Sequence, residues 1–339
     1  MSAWRRSGER PVLLIAMPQR VCDEVFGERR LRALAERGEV HGPVSSFDDA
    51  AAPHLARADV LITGWEAPRL DAAVLDRAPR LRAVLHAAGT VKAHLSPEVW
   101  ERGIVVSSAA ETNAVPVAQF TVAMVLLAGK HVLPIAARYR RERRAFDIAE
   151  AFPGLGNADK RVGIVGASRI GRRTIALLRP FGFDIAVADP FLSAEAAAEL
   201  GARLLSLDEL VATSDIVSIH APSLPETHHL IDERLIGLMR PGATLINTAR
   251  GEIVDQEALT ARVLRGDLFA VLDVTTPWIL DDGHPLYDHE NVVLTPHVAG
   301  SLGTELHRLA DATIAELDRL LAGEPIRHPV RREDLATLA

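Results

Sequence analysis

The chain has 339 residues, 48% hydrophobic and 24% charged, enough to bury two ordinary cores. Its 38 basic and 45 acidic side chains leave a formal net charge of −7, so no global positive field exists to hold nucleic acid or an anionic membrane, and small molecules or protein chains are the expected partners. Cys22 is the only cysteine, which excludes an intramolecular disulfide or a cysteine-based zinc cluster and fits a reducing, cytoplasmic setting.

Short β-branched runs alternate with helical stretches along the chain, the pattern of parallel sheets covered by helices. Val12–Met17 reads as a first strand; Pro18, Gln19 and Arg20 end it too soon for a secretion signal or a membrane span. A helix over Asp23–Arg37 follows, then strands at Asp59–Thr63, Leu81–His86 and Val105–Ser107. Asn113 is placed to cap a long apolar helix running to Gly129, with Pro116 in its first turn. The arginines from Arg138 to Arg144 lack interleaved glycines, and so read as a solvated helix face or a subunit contact rather than a nucleic-acid site. After an irregular stretch around Pro153–Asn157 come six strands: Arg161–Gly166, Ile185–Asp189, Ile216–His220, Thr244–Asn247, Ala270–Asp273 and Val292–Leu294. A final helix, Thr304–Ala322, carries Leu306, Leu309, Thr313, Leu317 and Leu320 at helical spacing, ends at Gly323, and is expected to pack on the first domain.

Residues 162–173, VGIVGASRIGRR, set Gly166, Ser168 and Gly171 in the spacing of a dinucleotide fingerprint between a strand and a helix. Gly166 permits a tight turn, Gly171 lets helix and strand approach, and the helix opening at Arg169 and Ile170 offers unpaired N–H groups to a pyrophosphate. Ser168 replaces the usual second glycine; its side chain either tightens the fit or donates a hydrogen bond. The next strand ends in Asp189, whose carboxylate suits the ribose hydroxyls and repels a 2′-phosphate, which favours NAD over NADP.

These residues resemble the D-isomer-specific 2-hydroxyacid dehydrogenase family, which includes phosphoglycerate, formate and phosphite dehydrogenases. The resemblance is carried by GIVGASRIGR at 163–172, IHAPSLPETHHLI at 219–231, LINTARGEIVDQEAL at 245–259, AVLDV at 270–274 and LTPHVAGS at 294–301. It implies two Rossmann-like α/β domains: a doubly wound parallel-sheet NAD domain (residues 109–298) inserted into a flavodoxin-like substrate domain (residues 1–108 and 299–339), with the active site in the cleft. It also implies a homodimer joined through the NAD domains and no metal. Arg250 then corresponds to the arginine that holds the substrate carboxylate and polarises its 2-oxo group, and His297 to the acid/base histidine. The segment at 86–95 resembles the loop that binds the substrate carboxylate through backbone N–H groups near Ala88, Gly89 and Thr90, with Val91 where the family has an acid. Asp273 resembles the acid near the nicotinamide amide, Pro222 and Thr227 line the adenosine side, and Thr248, Ala249, His297 and Gly300 complete the cofactor contacts.

One position departs from the family. A glutamate, or a glutamine in formate dehydrogenases, stands five residues after the LDV aspartate and pairs with the histidine. Counting from Asp273 gives Trp278, whose indole has a donor and no acceptor. Three readings stay open: a dehydrogenase with weakened acid/base catalysis or a substitute partner; a pocket walled by Trp278, with Asp281 or Asp282 reaching His297; or an NAD(H)-responsive, corepressor-like binding protein with a vestigial site. Retention of both Arg250 and His297 favours the first two.

Overall fold

The computed structural model describes residues 10–336. These residues divide into two compact units, 10–113 with 301–336 and 114–300.

The first unit is built on a five-stranded parallel sheet in the order β2-β1-β3-β4-β5, formed by β1 (Val12–Ala16), β2 (Glu39–Val44), β3 (Val60–Thr63), β4 (Ala83–His86) and β5 (Val105–Ser108). This is the flavodoxin-like order, whose switch point lies between β1 and β3. The strands β1, β3 and β4 are buried throughout, as expected of a parallel sheet covered on both faces. On one face Leu306, Leu309, Ile314 and Leu317, from the helix Leu306–Ala322, pack with Leu13, Ile15, Val25 and Phe26. The ion pairs Arg30–Asp311 and Arg37–Asp318 flank that contact, so the last helix does join the first strands. Gly323 ends it in the left-handed conformation, at φ 73°.

Three local expectations need correction. The helix placed over Asp23–Arg37 is two helices, Gln19–Val25 and Gly27–Arg37, because Gly27 takes φ 56° and breaks the run after Phe26. The edge strand β2, sequence EVHGPV, was not legible because Gly42 and Pro43 interrupt its apolar pattern; an edge tolerates proline. The long apolar helix begins at Ala110, so Asn113 lies inside it and Pro116 is interior rather than in the first turn. Glu111 supplies the acidic residue at that earlier start, and the Asn113 carboxamide oxygen instead accepts the Ser301 N–H at 3.1 Å. This helix, Ala110–Gly129, is long and apolar enough to cross a membrane, but Val117, Ala118, Val122 and Val125 along it are core residues.

The second unit has a seven-stranded parallel sheet in the order β12-β11-β10-β9-β6-β7-β8. Its strands are β6 (Arg161–Val165), β7 (Asp184–Ala188), β8 (Arg203–Leu204), β9 (Ile216–Ile219), β10 (Ala243–Asn247), β11 (Leu268–Leu272) and β12 (Val292–Leu294). From β6 the chain builds outward through β7 and β8, then crosses to β9 and continues to β12, the doubly wound order of dinucleotide-binding sheets with its switch point between β6 and β9. The two-residue β8 adds a seventh strand to the six expected. One face is closed by Leu210, Leu235 and Leu259, the other by Val125, Ile175 and Leu178. The arginine cluster sits at the end of the helix Val132–Glu142, where Glu142 pairs with Arg138 and Arg144 while Arg141 pairs with Glu290.

Candidate active site

Strand β6 runs into Gly166, whose φ of 95° is a conformation open mainly to glycine. A Cβ there would lie 2.8 Å from the Ala221 nitrogen, so the loops leaving β6 and β9 touch at the switch point. A Cβ on Gly171 would stand 2.1 Å from the Gly166 oxygen, which fixes how closely the helix Arg169–Leu178 approaches the turn. Ser168 caps this helix: its hydroxyl oxygen accepts the Gly171 N–H at 3.3 Å. One lone pair of the hydroxyl oxygen is thus engaged by the helix. Arg169 and Ile170 form the first turn, where helix N–H groups have no intrahelical partner.

Asp189 follows β7 directly. One carboxylate oxygen accepts the Ala167 N–H at 2.7 Å and the other the Phe191 N–H at 2.8 Å, which locks the acid beside the glycine turn and leaves an acceptor position on each oxygen. Across the switch point, the Thr227 hydroxyl donates to the Pro222 carbonyl at 2.6 Å and accepts the Leu224 N–H at 2.9 Å, knitting the segment 222–227 into one turn. The glycine cradle, the helix N-terminus and the fixed acid together fit a dinucleotide.

A second cluster stands at the carboxyl ends of β10, β11 and β12. After β10, the Asn247 side chain accepts the Ala249 N–H at 3.0 Å and donates to the Arg250 carbonyl at 2.9 Å. Thr248 bonds Thr121, hydroxyl to hydroxyl, at 3.1 Å. Asn247 therefore sets the turn that presents Arg250, a role sequence reasoning missed; an asparagine closing an apolar strand was its one signal. Arg250 donates to the Ala249 carbonyl at 2.6 Å, and burial pulls its pKa below the ordinary arginine value while Glu252 opposes the shift. A desolvated guanidinium with most of its five donors unspent is built to receive an anion.

After β11, Asp273 is 1% exposed. Its carboxylate accepts the Thr295 hydroxyl at 2.6 Å and the N–H groups of Val298 and Ala299 at 2.8 and 2.9 Å, while its carbonyl accepts the His297 N–H at 2.9 Å. All of this anchors the segment after β12, which Gly300 closes, and holds His297 at φ 58°, a left-handed conformation uncommon for a side-chain-bearing residue. The His297 ring lies 4.8 Å from the Trp278 ring, planes inclined by 41°, and its buried Nδ1 has no hydrogen-bond partner among the described residues. Burial, then the Arg250 cation, hold the imidazole below its usual pKa; Asp273 pulls the other way. Asp281 and Asp282 are exposed, and neither bonds the imidazole, which corrects the expectation that one of them reaches back to it.

In the first unit, Ala88, Gly89 and Thr90 lie just beyond β4, after Ala87. Ala88 is buried, the Thr90 hydroxyl accepts the Lys92 N–H at 3.3 Å, and a Cβ on Gly89 would meet only the Asn113 side chain, at 3.6 Å. His86, the last residue of β4, bonds the Thr63 hydroxyl at 2.9 Å; His220, after β9, bonds the Ser218 hydroxyl at 2.9 Å. Burial pushes both imidazoles down to about 3. Each is neutral in the folded chain while its unfolded form takes a proton below about pH 6.5, so the stability they confer is present above that pH and is lost as pH falls toward 3. Each unit is therefore expected to lose about 2 kcal/mol between pH 7 and pH 5, read by urea unfolding at the two pH values, and His220→Asn should flatten the profile of the second unit alone.

The sequence model of the NAD binding domain of the D-isomer specific 2-hydroxyacid dehydrogenases matches residues 122–299, just over half of the chain. The chain belongs to that family. It is 34% identical over 322 residues to D-3-phosphoglycerate dehydrogenase of Mycobacterium leprae, covering 93% of this chain and 57% of that protein, so it spans little over half the length of such relatives. It is 32% identical over 307 residues to the glyoxylate reductase of Korarchaeum cryptofilum, covering 86% of this chain and 92% of that one. A phosphoglycerate oxidoreductase from Rhizobium etli superposes with a TM-score of 0.81 at 25% identity, over 95% of this chain and 99% of that one. The matched domain of this family member is an NAD-binding domain, and the cradle at Gly166, Gly171 and Asp189 lies within it.

Proposed function

We propose that this protein interconverts a 2-oxo acid and its D-2-hydroxy acid by hydride transfer with NAD(H). The observation that carries the reading is the pairing, beyond the carboxyl ends of β10 and β12 on either side of β11, of a desolvated Arg250 with a ring-held His297, on the same sheet as a cradle that fits the dinucleotide. When bound, the nicotinamide supplies or takes up the hydride. Arg250 grips the substrate carboxylate through its planar fork and draws electron density from the 2-oxo group. His297 donates the proton that the forming alkoxide needs during reduction, and removes the hydroxyl proton during oxidation. The N–H groups at Ala88, Gly89 and Thr90 assist in holding the carboxylate, and Trp278, 60% exposed, forms a wall of the substrate pocket where the family has its glutamate. Asp189 receives the adenosine ribose, Pro222 and Thr227 line the adenosine side, and Thr248, Ala249, Asp273 and Gly300 shape the nicotinamide end. Residues 1–108 with 299–339 form the substrate domain, and 109–298 the NAD domain. The protein works in the cytoplasm as a homodimer joined through its NAD domains, without a metal.

The test is NADH oxidation against a panel of 2-oxo acids that includes glyoxylate and phosphorylated members, with the chirality of each product determined. Turnover yielding D-hydroxy acids, with NADH preferred over NADPH, is the expected result. Micromolar NADH binding without turnover of any member of the panel would overturn it.

A further inference from the structure

Among the described residues, the imidazole of His297 has no carboxylate partner. Asp273 directs its carboxylate to Thr295, Val298 and Ala299, Asp281 and Asp282 stay exposed, and Nδ1 is buried and unbonded. The charged groups that bear on the ring are Arg250, from the turn after β10, and Asp273, from the end of β11. What meets the ring is the indole of Trp278, centroid to centroid 4.8 Å.

That contact is set by the backbone. The Thr275 hydroxyl donates to the carbonyls of Pro277 at 2.8 Å and Trp278 at 3.1 Å, which folds the segment into a tight turn. Thr275 and Thr276 in turn occupy the space that a side chain on Gly251 would need: a Cβ there would fall 2.2 Å from the Thr275 carbonyl and 2.5 Å from the Thr276 hydroxyl. Leu280 and Leu286, both buried, hold the far side of the loop in the core. The glycine beside Arg250 thus seats the loop that brings Trp278 to His297. Since Trp278 remains 60% exposed, burial of its own surface does not account for its placement.

We propose that Trp278 is a positioning residue for His297: its indole holds the imidazole by ring contact and stabilises the imidazolium by cation–π attraction, in place of a carboxylate. Indole is the strongest aromatic partner for a cation, and a ring separation under 6 Å is within range. The attraction exists only while the ring carries its proton, so Trp278 offsets part of the burial and Arg250 repulsion that hold the imidazole neutral. This rests on His297 being the proton carrier proposed above.

The sign of one titration decides it. In the full chain without cofactor, the His297 imidazole resonances are followed by NMR against pH and assigned by their loss in His297→Asn. If Trp278 stabilises the imidazolium, Trp278→Leu lowers the His297 midpoint by about half a pH unit, and Trp278→Phe lowers it less. A tryptophan that only walls off water would give the opposite result, since trimming it lets water reach the ring and raises the midpoint. An unchanged or raised midpoint in Trp278→Leu therefore overturns the proposal. The native chain should also show an indole fluorescence change with the same midpoint as the NMR titration, absent from Trp278→Leu and His297→Asn. Because the titration needs neither cofactor nor substrate, a lowered midpoint in a chain that turns over no 2-oxo acid would overturn the proposed function and leave the ring contact standing.

Discussion

A chain carrying His297→Asn is expected to lose about 10²–10⁴-fold in kcat for 2-oxo acid reduction while binding NADH within a few-fold of the native chain. Asparagine is the informative substitution because it tolerates the left-handed backbone that residue 297 adopts at φ 58°. The bonds that Asp273 makes to Thr295, Val298 and Ala299 involve no atom of the imidazole, so the segment keeps its course and the proton carrier alone is removed. The native pH profiles check the same assignment with a worked sign. Reduction needs the imidazolium, and its midpoint is held low by burial and Arg250, so kcat/KM for reduction falls as pH rises through that depressed midpoint. Oxidation needs the neutral ring, so its profile is flat near neutrality and falls as pH drops through the same midpoint. Stopped assays in both directions read both limbs, and both should vanish in His297→Asn. A variant within tenfold of native turnover would remove His297 from the reaction.

The parts of this molecule that were legible beforehand are those where a single residue type satisfies a backbone demand. Gly166 and Gly171 are readable because a side chain at either would collide with Ala221 or with Gly166 itself, and Asp189 because a strand ending in an acid after that turn has few other uses. Buried strands such as β1 and β11 announce themselves as continuous apolar runs. What escaped reading depends on neighbours distant in sequence. The strand β2 exists because β1 offers it an edge to pair with, whatever Gly42 and Pro43 do to its pattern. Asn113 looks like a cap, yet its carboxamide is taken by Ser301, 188 residues away. Trp278 could be counted to its place, but its contact with His297 follows from Thr275 and Thr276 lodging against Gly251, a packing relation no periodicity encodes. The site is thus carried by local rules at its cofactor end and by long-range loop seating at its catalytic end.

That seating gives Arg250 the other large expected effect. Arg250→Lys keeps the charge and should still cost about 10²–10³-fold in kcat/KM for the 2-oxo acid. The guanidinium presents five donors in a plane, of which one serves the Ala249 carbonyl at 2.6 Å, leaving the fork for a carboxylate oxygen and the carbonyl oxygen together. An ammonium is a point donor and cannot serve both oxygens in one plane. It is also more strongly hydrated, so the burial that already lowers the arginine's pKa would press harder on a lysine and favour its neutral form. The variant should therefore lose activity most at high pH, where the lysine gives up its proton, and recover part of it at low pH, where the His297 imidazolium is also favoured. NADH binding, measured by fluorescence, should be unchanged, because the glycine cradle and Asp189 lie at the ends of β6 and β7 and share no hydrogen bond with Arg250. Added guanidinium, a planar cation of the missing shape, should restore part of the rate in Arg250→Ala. A Lys variant with native kcat/KM across the pH range would show that charge alone suffices at this position, and the forked grip on the substrate would be wrong.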